Sequence, residues 1–197
     1  LMMASTLSDS TKIDDAASEP HVSDLVDYLN KMGAKIYGRG TNSLSISGGK
    51  LHGAEFRVSS DHIEGGTFAI ASAITNGNIE IEDFNPESYH MILNYLGDMG
   101  VSYKTTKDSL IVLPSDLKAK RRKFQTRPWP GFPTDLMSPF IVLATQTEGT
   151  VLCHDWMYEW RMFFVDDLIS MGANILIADP HRVIVSGPKR LLADRLF

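Results

Sequence analysis

The residues Tyr89–Val101, YHMILNYLGDMGV, decide the fold of this chain. Their apolar side chains recur every three or four positions, which predicts an amphipathic helix with one buried face. Gly100 follows the last of them, Met99, and is a candidate C-cap because glycine enters the left-handed backbone region without steric cost. The segment therefore predicts a helix that ends at a Met-Gly pair.

The same pattern occurs three times along the chain. Met-Gly pairs lie at 32–33, 99–100 and 171–172, at spacings of 67 and 72 residues. At matching spacings, the segments 1–7, 68–74 and 140–146 predict an earlier helix, and alternating apolar pairs predict strands. These pairs are Leu44 and Ile46, Ile111 and Leu113, and Val183 and Val185. We predict three copies of a unit of about 70 residues, each ordered helix, turn, strand, helix, strand, strand.

The predicted fold class is α/β (α+β in some schemes), because such units pack helices in layers on sheets. Of the 197 residues, 43% are hydrophobic and 22% are charged, which is an ordinary globular composition. The net charge of −5 argues against broad nucleic-acid binding. No apolar run approaches the roughly 20 residues that span a bilayer, and the start of the chain lacks the pattern of a signal peptide.

The sequence predicts no metal and no cofactor. The histidines lack metal-ligand spacing, and no phosphate-binding P-loop or nucleophile elbow is present. The single cysteine, Cys153, excludes an intrachain disulfide. Its place in a strand pattern predicts a buried, inert thiol.

Arg161 breaks the repeat. The third helix has apolar residues where the second has them, except at the position that corresponds to Tyr89, which is Arg161. A guanidinium at a buried position needs a partner, and its planar fork of donors suits a carboxylate or a phosphate. Arg161 is therefore a candidate anion-binding residue. The alternative is that the helix begins later and that Arg161 is a solvated residue at its end.

A second candidate lies at the end of a stiff loop. The segment 128–135, PWPGFPTD, contains three prolines and a glycine and leads Thr134 and Asp135 to an apolar helix. Both residue types are favoured helix N-caps. Alternatively, Asp135 is a carboxylate held on a rigid loop as a general base, kept ionised by the nearby helix N-terminus.

Asp61 and Glu64 lie beside Gly65-Gly66-Thr67 at another predicted helix start. A Gly-Gly-Thr turn can present backbone N–H groups to an anion. An aspartate before a helix is also an ordinary cap, and the pattern favours this second interpretation for Asp61.

Four segments together resemble one protein family. They are AASEP at 16–20, DHIEGGTF at 61–68, PGFPTD at 130–135 and YEWRM at 158–162. In that order they are similar to the Ala-Ala-Arg-Glu-Pro, Asp-Arg-Ile-Glu-(Thr/Ala)-Gly-Thr-Phe, Pro-x-(Phe/Tyr)-Pro-Thr-Asp and Phe-Glu-Asn-Arg-Phe motifs of the UDP-N-acetylglucosamine 1-carboxyvinyltransferase (MurA) family. That family belongs to the enolpyruvyl transferase (EPSP synthase-like) superfamily. The resemblance extends from Leu1 to about Leu191 at near-constant spacing.

The resemblance implies an inside-out α/β barrel architecture of two domains, each built from three βαβαββ pseudo-repeats, that close over substrate. On this basis, residues 1–59 are the last repeat of one domain, and residues 60–197 are two repeats of the second. The remainder of the enzyme chain, including the family's catalytic cysteine loop, would lie outside; Cys153 does not match that loop. We therefore expect this chain alone to be inactive.

The implied reaction transfers the enolpyruvyl group of phosphoenolpyruvate to the 3-hydroxyl of UDP-N-acetylglucosamine, the first committed step of peptidoglycan synthesis in the cytoplasm. By motif position, Asp135 would be the general base and would contact the sugar beside Thr134. Arg161 would be an active-site arginine near the reacting groups. Met157 would contact the UDP-sugar mainly through its backbone, and Asp61 would be an acid at the hinge side of the cleft. Neither nucleic acid nor a membrane is an expected partner.

Three departures from the family pattern flank the proposed site. Leu136-Met137-Ser138-Pro139 stands where the family has Met-Gln-Ala-Gln. His62 stands where the family has arginine, and Trp160 stands where it has asparagine. A divergent subfamily with altered substrate preference would explain them. Two other functions stay open: a transferase that acts on shikimate 3-phosphate, and a non-catalytic UDP-sugar-binding remnant.

Overall fold

A computed structural model describes residues 1–159 and 161–193. The chain divides into two compact units, Leu1–Ser60 and Asp61–Phe197, and each has its own hydrophobic core. None of the helices in the described ranges combines the length and apolarity that a membrane span requires.

The first unit is a three-stranded antiparallel sheet with two helices. Its elements are α1 (Met2–Ser5), β1 (Thr11–Asp14), α2 (Pro20–Lys31), β2 (Lys35–Tyr37) and β3 (Ser43–Ser47). The last strand, β3, lies between the other two. Val26 and Leu29 of α2 share a core with Leu44 and Ile46 of β3. Proline at the first position of α2 suits a helix start, where its missing N–H has no intrahelical partner to lose.

The second unit contains the same arrangement twice. The first copy is α3 (His62–Ile74), β4 (Ile79–Ile81), α4 (Pro86–Asp98), β5 (Ser102–Thr105) and β6 (Leu110–Leu113). A short strand, β7 (Lys123–Gln125), and a single 3-10 turn, Thr134–Leu136, follow. The second copy is α5 (Met137–Gln146), β8 (Gly149–His154), α6 (Val165–Ser170), β9 (Asn174–Asp179) and β10 (Arg182–Gly187).

All three sheets have the same strand order. The third strand of each copy lies between the first and the second, as β1-β3-β2, β4-β6-β5 and β8-β10-β9. These pairings are all antiparallel, and β7 extends the third sheet by pairing parallel with β8. The threefold repeat and the α/β fold class predicted from the sequence are therefore confirmed.

The three Met-Gly pairs end their helices in the same way. Gly33, Gly100 and Gly172 have φ values of +106°, +86° and +95°. In each case the following residue donates its N–H to a carbonyl five positions earlier, as Val101 does to Leu96 at 3.0 Å. This hydrogen bond defines the Schellman motif, which satisfies a carbonyl at the helix end. The glycine caps are confirmed in all three copies.

The predicted strand register is wrong in the second copy. Leu110 and Val112 are the fully buried residues of β6, whereas Ile111 and Leu113 are only partly buried. The third residue after the glycine pairs with the thirteenth in the first and third copies, as Ile36 with Ile46 and Ile175 with Val185, but Tyr103 pairs with the twelfth, Val112. The hairpin connection between β5 and β6 is therefore one residue shorter than its counterparts. Because side chains alternate between the two faces of a strand, a shift of one residue exchanges the buried and exposed sets.

An aromatic cluster fills the core of the second unit. Tyr95 of α4 stacks on Phe132 at a centroid distance of 4.6 Å, and both rings contact Phe140 of α5. Phe124 of β7 packs against the same group at 4.8–5.0 Å. This cluster anchors the proline-rich loop before the 3-10 turn to the core.

Candidate functional site

The loop that carries Thr134 and Asp135 is held close to the core. The Phe132 ring is buried in the aromatic cluster. The backbone carbonyl of Phe132 accepts a 3.0 Å hydrogen bond from the Arg127 N–H. The chain then enters the 3-10 turn Thr134–Leu136, which leads directly into α5. These contacts fix the backbone from which the Asp135 side chain projects.

Neither Thr134 nor Asp135 is a helix cap. In the described residues, no side-chain cap hydrogen bond is present at the 3-10 turn or at α5. The Thr134 hydroxyl instead donates to Asp155 Oδ2 and accepts from Arg161 Nη1 at 3.3 Å. The N-cap interpretation is wrong for both residues, because their side chains bond to the 155–161 segment.

Arg161 and Asp135 form an ion pair. Arg161 Nη2 donates to Asp135 Oδ1, and the guanidinium carbon lies 5.1 Å from the centre of the Tyr158 ring. The side chains are 31% exposed for Arg161 and 56% exposed for Asp135. A carboxylate and a guanidinium therefore lie side by side where a ligand can reach them, which suits proton abstraction next to an anionic group.

Arg161 does not lie on a helix. The helix α6 begins at Val165, so the position that corresponds to Tyr89 of α4 falls in the preceding turn. The predicted helical stripe is therefore wrong at its first position, and the late helix start is right. Arg161 is nevertheless not simply solvated, because it bonds to both Thr134 and Asp135.

A buried carboxylate, Asp155, connects the two segments of the site. It accepts hydrogen bonds from the hydroxyls of Thr126 and Thr134 and from the N–H groups of Met157 and Tyr158. Sequence analysis missed Asp155, although a signal was present. Val151 and Cys153 alternate as buried residues of β8, and Asp155 is the next residue in that alternation.

Met157 is held by its backbone. Its N–H donates to Asp155 Oδ1 at 2.9 Å, and its side chain is exposed. Because the N–H is already bonded, a ligand that contacts the Met157 backbone must use the carbonyl oxygen.

Asp61 is the N-cap of α3. Its Oδ1 accepts from the N–H groups of Ile63 at 2.8 Å and Glu64 at 3.4 Å, as the favoured sequence interpretation predicts. The carboxylate also affects Tyr89 of α4. Burial raises the pKa of Tyr89 to about 12, and the negative charges of Asp61 and Glu64 add to this effect.

Gly65 and Gly66 are not an anion-binding turn. Both lie inside α3 and are buried. A Cβ at Gly65 would lie 1.9 Å from Tyr89 Oη, and one at Gly66 would lie 2.8 Å from Leu136 Cδ1. The glycines therefore let α4 and the 3-10 turn pack closely against α3.

Two of the three departures from the motif pattern can be described. Leu136-Met137-Ser138-Pro139 forms the end of the 3-10 turn and the start of α5, with Leu136 and Met137 buried. His62 is buried at the start of α3, and its ring meets the Trp129 ring edge-on at 5.7 Å. Trp160 lies outside the described residues.

Cys153 is fully buried in β8 and lies outside the cluster around Arg161. Burial raises the pKa of its thiol to about 12, so it is not a nucleophile at neutral pH. Across residues 1–159 and 161–193, no group of three His, Cys, Asp or Glu side chains is placed to hold a metal ion.

With the site described, the chain can be compared with known proteins. Residues 1–193 match the family model of EPSP synthase (3-phosphoshikimate 1-carboxyvinyltransferase). The UDP-N-acetylglucosamine 1-carboxyvinyltransferase of Treponema denticola is 45% identical over a 204-residue alignment, which covers 100% of this chain and 48% of the relative. The enzyme of the same name from Borrelia garinii subsp. bavariensis is 44% identical, with the same coverage. The chain thus spans about half the length of the curated relatives it matches.

A solved structure supports the fold. The enolpyruvyl transferase NikO from Streptomyces tendae superposes with a TM-score of 0.82 at 22% identity, covering 94% of this chain and 44% of NikO. At this identity the likeness concerns the fold alone. The family model covers nearly the whole chain, and the chain therefore belongs to the EPSP synthase (3-phosphoshikimate 1-carboxyvinyltransferase) family.

Proposed function

We propose that the complete protein transfers the enolpyruvyl group of phosphoenolpyruvate to the 3-hydroxyl of UDP-N-acetylglucosamine in the cytoplasm. The names of the relatives that are 44–45% identical support this acceptor. The observation that carries the proposal is the contact between Arg161 and Asp135, which unites two separate motifs in one solvent-accessible pair.

The chain supplies part of the enzyme. Residues 1–59 are proposed as the last repeat of one domain and residues 60–197 as two repeats of the second, with the remainder of the enzyme chain supplying the other repeats. Coverage of only 48% of each relative supports this division. The 197-residue chain is accordingly proposed to be inactive alone.

Asp135 is the proposed general base. A sugar hydroxyl is a poor nucleophile, and a positioned carboxylate that accepts its proton lowers the barrier to attack. As the proton passes to Asp135, the hydroxyl oxygen bonds to C2 of phosphoenolpyruvate, the C2–C3 double bond opens, and C3 takes a proton from an acid that the remainder of the enzyme chain would supply. The tetrahedral intermediate then loses phosphate from C2 and a proton from C3, which restores the double bond in the enolpyruvyl product. Asp135 is 56% exposed, so its Oδ2 can reach the hydroxyl while Oδ1 contacts Arg161.

Arg161 is the proposed partner of the reacting anions. Phosphoenolpyruvate carries a carboxylate and a phosphate, and the arginine fork can donate two hydrogen bonds to either. Thr134 and Tyr158 already orient the guanidinium. This orientation reduces the ordering cost of binding.

Three further residues are proposed to bind substrate. Thr134 lies between the base and the arginine and is held by Asp155. Met157 would accept from the UDP-sugar through its carbonyl. For Asp61, Oδ1 caps α3, so Oδ2 is the oxygen that would face a ligand.

The decisive experiment measures phosphate release by the complete protein with phosphoenolpyruvate and UDP-N-acetylglucosamine, with the enolpyruvyl product identified by its mass. Release that requires both substrates supports the proposal. Binding of the sugar nucleotide without release would indicate a non-catalytic remnant.

Shikimate 3-phosphate is the second candidate acceptor, because the matching family model is named for that reaction. The same assay with this acceptor separates the two. Turnover with shikimate 3-phosphate but not with UDP-N-acetylglucosamine would overturn the proposed acceptor.

A further inference from the structure

Asp155 is a buried carboxylate that the proposed chemistry does not use. Its residue is 0% exposed, and a buried charge is costly unless hydrogen bonds compensate it. Within residues 1–159 and 161–193, four donors do so, two hydroxyls and two backbone N–H groups, and none of these four is a charged side chain. Such a concentration of donors around one carboxylate, directly behind the site, calls for an explanation beyond packing.

The two oxygens of Asp155 bond to different parts of the site. Oδ1 accepts from Thr126 Oγ1 at 3.0 Å, from the Met157 N–H at 2.9 Å and from the Tyr158 N–H at 3.3 Å. Oδ2 accepts from the Thr134 hydroxyl. One oxygen therefore holds the backbone of the 157–158 segment, and the other holds the residue that precedes the proposed base.

The Thr134 hydroxyl links Asp155 to Arg161. A hydroxyl has one proton to donate. Since that proton goes to Asp155 Oδ2, the oxygen lone pairs remain to accept from Arg161 Nη1 at 3.3 Å. The carboxylate oxygen thus fixes which way the hydroxyl points, and this direction suits the guanidinium.

We propose that Asp155 is a positioning residue that aims Arg161 through the Thr134 hydroxyl and holds the 157–158 backbone for the sugar nucleotide. The inference rests on the proposed function of the same site. It assigns Asp155 no contact with substrate or with the reacting atoms.

The hydrogen bonds of Asp155 Oδ1 to the Met157 and Tyr158 N–H groups are called the backbone arm, and the bond of Oδ2 to Thr134 is called the arm to Arg161. The substitution Asp155→Asn separates the two. Three donors converge on Oδ1, so the amide oxygen of Asn must take that position and its NH₂ must face Thr134. The Thr134 oxygen would then accept from the amide, and its proton would turn toward the Arg161 donors. The backbone arm is kept, while the arm to Arg161 is reversed.

Kinetics of the complete protein test this division. We expect Asp155→Asn to lower kcat roughly 10- to 100-fold, because misplacing a reacting group behaves in this way. Its KM for UDP-N-acetylglucosamine should stay within about threefold, a change of less than 1 kcal/mol. Asp155→Ala removes both arms and should change both constants. Asp166→Asn, at an exposed carboxyl of α6, is the matched control.

Thr134 provides a second route that leaves Asp155 unchanged. Thr134→Val should lower kcat as Asp155→Asn does. Thr134→Ser keeps the hydroxyl, so its kcat should be close to that of the unsubstituted protein. The double variant Asp155→Asn/Thr134→Val should be no slower than the slower single variant, because both act through one contact. Additive losses, or an unchanged kcat in Asp155→Asn, would overturn the proposal.

A measurement on the 197-residue chain separates this inference from the proposed function. The Met157 amide should exchange its hydrogen slowly in the unsubstituted chain and in Asp155→Asn, and roughly tenfold or more faster in Asp155→Ala. Equal exchange in all three would overturn the backbone arm even if the complete protein has no transferase activity. Absence of turnover in the unsubstituted protein, by contrast, counts against the proposed function.

Discussion

Arg161 donates from Nη2 to Asp135 Oδ1 across 26 positions of sequence. The two meet because each segment is fixed by residues that do not react. Phe132 anchors the loop of Asp135 in the aromatic core, and Asp155 holds the segment of Arg161 through Thr134 and two backbone N–H groups. The geometry of the charged pair therefore depends on buried packing and on one buried carboxylate.

Asp135→Asn should remove most turnover of the complete protein and leave the fold intact. A general base contributes roughly 100- to 10,000-fold to a rate, so kcat should fall within this range. Because the side chain is exposed, the urea midpoint of the 197-residue chain should move little. Asp166→Asn controls for loss of one surface charge. Near-normal turnover in Asp135→Asn would exclude its role as the base.

Arg161→Lys should keep the positive charge and still impair catalysis. Lysine lacks the planar fork that bonds to Thr134 and Asp135 together. The loss of one charge-assisted hydrogen bond is worth about 1.5–3 kcal/mol. This corresponds to roughly a 10- to 150-fold lower kcat/KM for phosphoenolpyruvate. Arg39→Lys, at an exposed ion pair with Asp27 in the first unit, is the control, and equal effects of the two would contradict the assignment.

The repeat could be predicted because its signals are local. A helix stripe and the glycine that ends it lie within one stretch of chain, and the left-handed φ of Gly33, Gly100 and Gly172 follows from steric rules alone. The strand β6 lies one residue out of the predicted register, because its register depends on the length of the hairpin connection from β5. No local pattern fixes that length.

The site was only partly predictable for a related reason. Asp135 and Arg161 are candidates from the sequence alone, because Asp135 ends a proline-rich loop and Arg161 interrupts an apolar helical pattern. Their contact, and the capture of Thr134 by Asp155, arise from tertiary packing between distant segments. The alternation of β8 does not by itself predict a buried Asp155, because an acidic residue after a strand ordinarily lies in solvent.

Gly100→Ala should destabilise the 197-residue chain. Its φ of +86° is unfavourable for alanine, and a Cβ there would lie 2.6 Å from the Lys118 nitrogen and 2.7 Å from the Asp116 carbonyl oxygen. A non-glycine residue in this region costs about 1–3 kcal/mol. Gly97→Ala is the matched control, because Gly97 lies in α4 and its nearest neighbour would be 3.9 Å away. Urea unfolding should show that Gly97→Ala leaves the free energy of unfolding unchanged or raises it. Equal losses of this free energy in both variants would contradict the steric argument.

Raising the pH above 9 should destabilise the chain through two buried acids. Burial raises the pKa of Cys153 from 9.0 to about 12 and that of Tyr89 from 10.0 to about 12. Between these values the unfolded chain loses protons that the folded chain keeps, so the free energy of unfolding falls as pH rises. Urea unfolding at pH 7, 9, 10 and 11 measures the decline.

Single variants assign the decline to each group. Cys153→Ala should lose stability at every pH, because it leaves a cavity in β8, yet it should show a flatter pH dependence from pH 9 upward. For Tyr89→Phe, the free energy of unfolding should depend less on pH only above pH 10, where the phenol of the unfolded chain begins to ionise. If both variants kept the slope of the unsubstituted chain, neither side chain would retain its proton in the folded state, and their burial as described would be wrong.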